Sequence, residues 1–383
     1  CAGTAYLFLG SASGLTDTPA WSSNGNGVAG ERFGAALATG DVNGDDYDDL
    51  LVGADMFDGA PSTTCAGTGS AYVFLGGPSG LSPSPSWTSS GDAVARAEYG
   101  DAVSIGDVNG DGFGDVVVGA PMGYATPTTG RVFVYSGSPS GPASVAAWTA
   151  DGSAGLGDAL TAEGDLDADG YDDLVVRGSL GSASELVHVY PGSAAGLPAS
   201  PVRSLSGEIG RLFGLALSTA GDVNGDGYAD LLVGAFTSLS GGAWPSGLGG
   251  AFLYLGGPFE GPAPTLAWAS DGEGQVFASY GGAVSIAGDV NRDGYADVLV
   301  GASLFTTANE DAGKAYLYFG ANAPSGVCDP AGVACDDGDP CTAESACDLA
   351  GLCSGTSPAP IDTPCDDDDP ITTGDVCDGA GAC

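Results

Sequence analysis

The sequence predicts an all-β chain built from repeated four-stranded units, and three observations predict it. A stretch of acidic and glycine residues running into an apolar segment, DVNGDGYADLLVGA from Asp222, recurs from Asp41, Asp107, Asp165 and Asp289. Each copy is followed, after a connection of variable length, by an alternating aromatic segment such as AYVFLG (71–76). Glycine is abundant, at 68 residues with no Gly-X-Y period, which suits short strands joined by turns and not helices. The copies start 57 to 67 residues apart, and four strands in roughly sixty residues, repeated radially, give a β-propeller of about five to six blades.

The elements follow in the same order in every unit. The first strand ends at the acidic stretch, as in FGAALATG (33–40) and FGLALSTAG (213–221), with small residues suited to close packing. The second leaves it, as in DLLVGA, nearly all apolar and so expected to be buried on both faces. The third is AYVFLG (71–76), RVFVYSG (131–137), LVHVYPG (186–192), AFLYLG (251–256) or AYLYFG (315–320). A glycine-rich turn precedes the fourth, marked by Trp87, Trp148 or Trp268. The N-terminus supplies only a third strand (5–10) and a fourth around Trp21, and the fifth unit supplies only strands one to three. The ring is therefore expected either as six positions with one half-blade or as completed by something else.

The acidic stretch has the pattern of a calcium loop. Oxygen-bearing side chains occupy its first, third, fifth and ninth positions, a backbone carbonyl is offered at the seventh, and glycine at the sixth permits a sharp turn. The expected ligands are Asp41, Asn43, Asp45, Tyr47 and Asp49 in the first copy, and Asp107, Asn109, Asp111, Phe113 and Asp115 in the second. The third offers Asp165, Asp167, Asp169, Tyr171 and Asp173. The fourth offers Asp222, Asn224, Asp226, Tyr228 and Asp230, and the fifth Asp289, Asn291, Asp293, Tyr295 and Asp297. About five Ca2+ are expected. The loop is not an EF-hand, because Val233 stands where a bidentate Glu is required and the flanks read as strands; the bidentate role is assigned to Asp230. In the first loop Asp46 replaces the turn glycine, which Asp tolerates better than most residues.

An aromatic-glycine pair before the loop and Gly-Ala-Pro after it resemble the FG-GAP repeat of integrin α-subunit propellers and bacterial surface proteins. Phe33-Gly34, Tyr99-Gly100, Phe213-Gly214 and Tyr280-Gly281 carry the first half. Gly119-Ala120-Pro121 carries the second in full, and Gly53-Ala54, Gly234-Ala235 and Gly301-Ala302 carry it in part. The resemblance covers residues 1–320 and implies a calcium-stabilised propeller. The third repeat departs from the pattern, with Leu156-Gly157 in place of the aromatic pair and Arg177 in place of the glycine, so a distorted blade with an intact ion is expected there.

Residues 321–383 form a second region. Two units align, CDDGDPCTAESACDLAGLC from Cys335 and CDDDDPITTGDVCDGAGAC from Cys365, and they resemble short extracellular Cys/Asp repeats. Eight of the ten cysteines lie between Cys328 and Cys383, which implies an oxidising compartment and a small tail ordered by disulfides. Cys1 and Cys65 sit at equivalent places in their repeats and are left to each other or to another chain.

Composition narrows the function. Forty-nine acids face eight bases, a formal charge of −41 that excludes a nucleic-acid or anionic-lipid surface. No apolar run is long enough to span a bilayer, so no membrane insertion is expected. The single histidine, His188, lies mid-strand and reads as a packed residue, which also excludes HExxH and His-rich zinc sites. No phosphate loop, GxSxG elbow or CxxC is present, and no enzyme is read here. The reading is a structural or adhesive protein, extracellular or at the cell surface, that contacts other surface proteins or copies of itself head to tail in a filament. Two alternatives stay open: a glycan-binding propeller, with Trp244 as its best sugar contact, and the non-catalytic propeller of a larger secreted protein.

Overall fold

The computed structural model describes residues 3–12, 14–25, 31–56, 68–122, 129–153, 155–178, 186–207, 211–219, 221–237, 249–259, 266–306 and 312–320. Of the tail it describes only the backbone of 342–343, 346–347, 353–354 and 357–358. The expected disulfides and Trp244 lie outside the described residues. The chain divides into two compact units, one comprising residues 1–222, 227–290 and 296–318, the other residues 223–226, 291–295 and 319–383. In the second unit, β24 (Thr342–Ala343) pairs with β27 (Ser357–Pro358), and β25 (Ala346–Cys347) with β26 (Cys353–Ser354).

The first unit is a five-blade β-propeller, with no helix among the described residues. It begins with β1 (Ala5–Leu7) paired with β4 (Trp21–Ser23), and the short ribbon β2 (Gly10–Ser11) and β3 (Gly14–Leu15) lies between them in sequence. Four antiparallel four-stranded blades follow. The first is β5 (Ala36–Gly40), β6 (Asp49–Ala54), β7 (Ser70–Phe74) and β8 (Trp87–Ser89). The second is β9 (Val103–Gly106), β10 (Asp115–Ala120), β11 (Thr129–Tyr135) and β12 (Trp148–Ser153). The third is β13 (Leu160–Gly164), β14 (Asp173–Gly178), β15 (Leu186–Tyr190) and β16 (Arg203–Ser206). The fourth is β17 (Arg211–Ser218), β18 (Leu231–Thr237), β19 (Gly249–Tyr254) and β20 (Leu266–Ser270). The fifth has, among the described residues, the three strands β21 (Tyr280–Gly288), β22 (Asp297–Ala302) and β23 (Lys314–Tyr318).

Blades pack face to face through apolar side chains, and the first strands of successive blades adjoin, β5 with β9, β9 with β13, β13 with β17 and β17 with β21. Between the first two blades, Leu51, Ala71 and Val73 meet Tyr99, Ile105, Val116, Phe133 and Tyr135. The second strands β6, β10 and β14 are buried along nearly their whole length, as the continuous apolar runs require. The tryptophans add a hook. Trp87 Nε1 donates to Ala143 O at 3.0 Å and Trp148 Nε1 to Pro198 O at 3.0 Å, in each case reaching the turn between strands three and four of the next blade. Trp21 does the same to Ser82 O at 2.9 Å, so β1 and β4 stand toward the first blade as the outer half of a preceding one. Each of these rings lies edge-on to an aromatic of the next blade: Trp21 to Phe74, Trp87 to Tyr135 and Trp148 to Tyr190.

The aromatic-glycine pairs do not open the first strands of the first and second blades, which start at Ala36 and Val103. Backbone proximity explains the displacement. A Cβ on Gly53 would lie 2.0 Å from the carbonyl oxygen of Gly100, and one on Gly119 2.0 Å from that of Gly157. The glycine of one blade's pair thus backs onto the Gly-Ala glycine of the blade before, at a distance no side chain allows. Arg177 occupies this position in the third blade and escapes sideways: its Nε donates to Phe213 O at 3.0 Å and its guanidinium pairs with Asp158. The third blade keeps four strands. Its register shifts between Thr161 and Gly164, an irregularity that has counterparts in the fourth and fifth blades.

Candidate metal loops

Every acidic stretch folds as a tight loop between the first and second strands of its blade, held by its own side chains. In the second loop the first-position carboxylate, Asp107, accepts the backbone N–H of Gly110 at 2.7 Å, Asp111 at 3.1 Å and Gly112 at 2.8 Å. Asn109 Oδ1 accepts Asp111 N at 2.9 Å, and Asp111 Oδ1 accepts Phe113 N at 3.1 Å. This ladder of side-chain-to-backbone bonds is what alternating Asp and Asn do in turns. It repeats in the first loop, where Asp41 receives Gly44 at 2.6 Å and Asp46 at 2.8 Å, and in the third, where Asp165 receives Asp169 at 3.0 Å and Gly170 at 2.8 Å. The fourth and fifth loops are divided between the two compact units. Within their units, Asp222 accepts Gly227 N at 2.8 Å, Asn224 accepts Asp226 N at 3.2 Å and Asn291 accepts Asp293 N at 2.9 Å.

The ninth-position aspartate ties the loop to the sheet. Asp49 accepts Val42 N at 2.9 Å on one oxygen and Gly76 N, beyond the end of the third strand, at 2.7 Å on the other. Asp173 does the same with Leu166 at 2.7 Å and Gly192 at 2.9 Å. Asp115 accepts Gly137 N and Asp230 accepts Gly256 N, each at 2.9 Å. Asp49, Asp115, Asp173, Asp230 and Asp297 are all fully buried. Burial, and then the neighbouring loop carboxylates, push Asp115 up to about 7 and Asp173 up to about 8 against the opposing backbone hydrogen bonds. Burial also acts on Asp41, but four backbone N–H groups outweigh it and hold that carboxyl below its ordinary value.

The third loop brings carboxylates together most closely. Oxygens of Asp165, Asp167 and Asp173 all lie within 4.8 Å of one another. That spacing is what a cation with oxygen ligands at about 2.4 Å would span. Asp167 Oδ1 is buried with no hydrogen-bond partner, and burial together with Asp169 and Asp165 pushes this carboxyl up to about 6. An orphaned oxygen among mutually repelling carboxylates fits a hard divalent ion and nothing else in the loop answers it.

The loops also touch one another. Gly114 N donates to Asp41 O at 2.7 Å, Asp172 N to Asp107 O at 3.0 Å, Ala229 N to Asp165 O at 3.0 Å and Ala296 N to Asp222 O at 2.9 Å. The seventh-position ring leans on the fourth position of the loop before: Phe113 on Gly44 and Tyr171 on Gly110. That fourth position is left-handed in all five loops, at φ 73° in Gly44, 69° in Gly110, 56° in Ala168, 76° in Gly225 and 64° in Arg292. Sequence reasoning placed the turn at the sixth position alone, and Asp46 there does adopt φ 65°. The glycine at the fourth position in three of five copies was the available signal.

A second acidic group, also missed, lies at the opposite end of the first blade's second strand. Asp55 is buried and pairs with Arg32 at 2.6 Å. Burial, then Asp55 and Glu98, push the nearby Asp101 up to about 6, while Arg32 acts the other way. His188 is buried, its Nδ1 2.8 Å from Ser204 Oγ, and burial lowers its proton affinity.

Comparison with known proteins agrees with this architecture. The FG-GAP repeat profile matches residues 33–74, 99–135 and 280–318, and the FG-GAP-like repeat profile matches 165–233. Integrin alpha-4 of Xenopus laevis is 34% identical over 197 residues, which is 49% of this chain and 19% of that protein. Integrin alpha-V of Gallus gallus is 31% identical over 223 residues, 53% of this chain and 20% of that protein. Integrin alpha-PS2 of Drosophila melanogaster is 36% identical over 215 residues, 55% of this chain and 12% of that protein. The matched region thus spans about a fifth or less of these relatives. Among solved structures, an exotype rhamnogalacturonan lyase, YesX, aligns at 14% identity and a TM-score of 0.35, covering 69% of this chain and 55% of that one. No helix of the described residues is long and apolar enough to cross a membrane. Loops, close-packed glycine pairs and profile matches fall on the same residues: the chain carries FG-GAP repeats, and those repeats build its β-propeller.

Proposed function

We propose that the chain is a calcium-stabilised, non-catalytic structural or adhesive module that works outside the cell, in contact with other surface proteins and with copies of itself. One observation carries the calcium reading: Asp165, Asp167 and Asp173 converge within 4.8 Å around an oxygen of Asp167 that has no hydrogen-bond partner. Calcium would be held by the first-, third-, fifth- and ninth-position side chains and the seventh-position carbonyl of each loop, and about five ions would bring the formal charge from −41 to about −31. The ion supplies charge neutralisation. The chain's own residues do the rest, the first-position aspartate folding the loop and the ninth fastening it to the third strand. Extracellular calcium and an oxidising medium suit both the loops and the cysteine-rich tail. The integrin relatives support the adhesive reading. The loop carboxylates are committed to backbone N–H groups, and the one histidine is packed, so neither is placed for catalysis. Isothermal titration of the chelated protein with calcium tests the reading, with about five ions bound per chain expected. No heat of binding, with melting unchanged in chelator, would overturn it.

A further inference from the structure

The third position of the acidic loop is asparagine in four copies, Asn43, Asn109, Asn224 and Asn291, and aspartate in one, Asp167. The difference is one of donors: a carboxamide offers two N–H donors beside its oxygen, and an ionised carboxylate offers none. Each asparagine is oriented by its own loop, because its Oδ1 accepts the backbone N–H of the fifth position. That bond measures 3.0 Å at Asn43, 2.9 Å at Asn109, 3.2 Å at Asn224 and 2.9 Å at Asn291. Nδ2 is thereby turned to the loop carboxylates. Asn109 Nδ2 donates to both oxygens of the ninth-position Asp115, at 3.2 and 3.1 Å. Asn43 Nδ2 donates to Asp45 at 3.2 Å, Asn224 Nδ2 to Asp226 at 2.8 Å and Asn291 Nδ2 to Asp293 at 2.7 Å.

Asp167 reverses this arrangement. It brings a fourth carboxylate to the ligand side chains, where the other loops have three, and it brings no donor. Among the described residues, Asp165, Asp167 and Asp173 are the one group of three acidic side chains whose oxygens converge within 4.8 Å. Asp167 Oδ1 is buried there without a hydrogen-bond partner. The charge carried by the ligands tunes calcium affinity in oxygen-lined loops. Carboxylates this close need a counter-charge, and the third loop supplies none of its own.

We propose that the third loop is the tightest calcium site of the chain and that Asp167 makes it so, while the four asparagine loops bind calcium more weakly and release it without losing their shape. In those four the carboxamide N–H2 already gives a loop carboxylate a donor, so an arriving ion competes with an internal partner. In the third loop nothing competes. The chain therefore keeps one ion as a fastening when calcium falls and responds to the calcium level through the other four. This inference rests on the calcium part of the proposed function and ranks its sites.

Calorimetric titration of the chelated full chain with calcium, read for the number of affinity classes, tests it. One ion is expected to bind at least about tenfold more tightly than the rest. At one equivalent of calcium, hydrogen exchange of the native chain should slow first in residues 165–173. Asp167→Asn installs the residue of the other four loops, and it should abolish the tight phase while leaving the number of ions bound unchanged. Asn109→Asp should add a second tight ion. Melting in excess calcium like that of the native chain shows that the variants are folded. First protection in any other loop overturns the proposal without recourse to a variant. Ions of equal affinity, or a tight ion that survives Asp167→Asn, overturn the ranking and leave the calcium reading standing. No binding at all overturns both.

Discussion

The backbone N–H of Gly114 donates to the carbonyl oxygen of Asp41 at 2.7 Å, joining the eighth position of one acidic loop to the first position of the loop before it. The same bond recurs down the chain, so a loop that loses its shape loosens its neighbour. Chelation of calcium is therefore expected to lower the melting temperature by about 5 °C or more, since a ligand at a hundredfold excess over its dissociation constant contributes about 2.7 kcal/mol per site. Differential scanning calorimetry with and without EGTA measures it. Asp226→Ala should remove part of the response, and the lost protection should appear in hydrogen exchange of its own blade and the adjoining one.

The tryptophan hooks separate into ring and donor. Trp87→Phe keeps an aromatic edge for Tyr135 and leaves Ala143 O without its 3.0 Å partner, and is expected to cost about 1 kcal/mol. Trp87→Ala loses the packing as well and should cost about 3 to 5 kcal/mol. Urea unfolding midpoints of the two variants compare them, and equal losses would show that the indole donor contributes nothing.

Ala168 holds a left-handed φ of 56° at the fourth position of the third loop, where three other loops have glycine. Ala168→Gly removes that steric cost and is expected to stabilise the chain by about 1 kcal/mol. Gly227→Ala, at φ 90°, should destabilise by a similar amount. Thermal melts in calcium report both signs.

Asp101 gives a pH dependence away from the loops. Its carboxyl is raised from 3.8 to about 6 by burial, Asp55 and Glu98, so the folded chain keeps a proton that the unfolded chain releases. The stabilisation is complete below about pH 4 and is lost as pH rises through about 6. Asp101→Asn, which cannot ionise, is expected to match the native chain near pH 4 and to exceed it in stability above pH 6. Parallel stability curves across that range would contradict the assignment.

The blade order and the N-terminal pairing of the strand at Ala5 with the strand at Trp21 were legible in the sequence, because the acidic loop and the tryptophan mark fixed points in each repeat. The loop's first, third, fifth and ninth positions were legible for the same reason. What escaped is set by the neighbouring blade. The glycine of Tyr99-Gly100 reads as part of a strand until the backbone of the adjacent blade, with Ser70 O 2.5 Å from where a Cβ would sit, is present to forbid a side chain. Arg177 reads as a defect until Phe213 O and Asp158 are seen to receive it. Leu299 is 40% exposed, although DVLVGA looks as buried as DVVVGA when read alone.

The hooks also decide where this architecture can grow. The acceptors Ser82, Ala143 and Pro198 each stand six residues after a glycine just past the third strand, at Gly76, Gly137 and Gly192. That turn is a measured spacer, and one inserted residue would carry the carbonyl out of reach of the indole. The connections between second and third strands differ in length from repeat to repeat. Insertions, grafted epitopes and evolutionary novelty therefore belong on the rim that carries those connections, while the rim that carries the hooks keeps the register of the whole array.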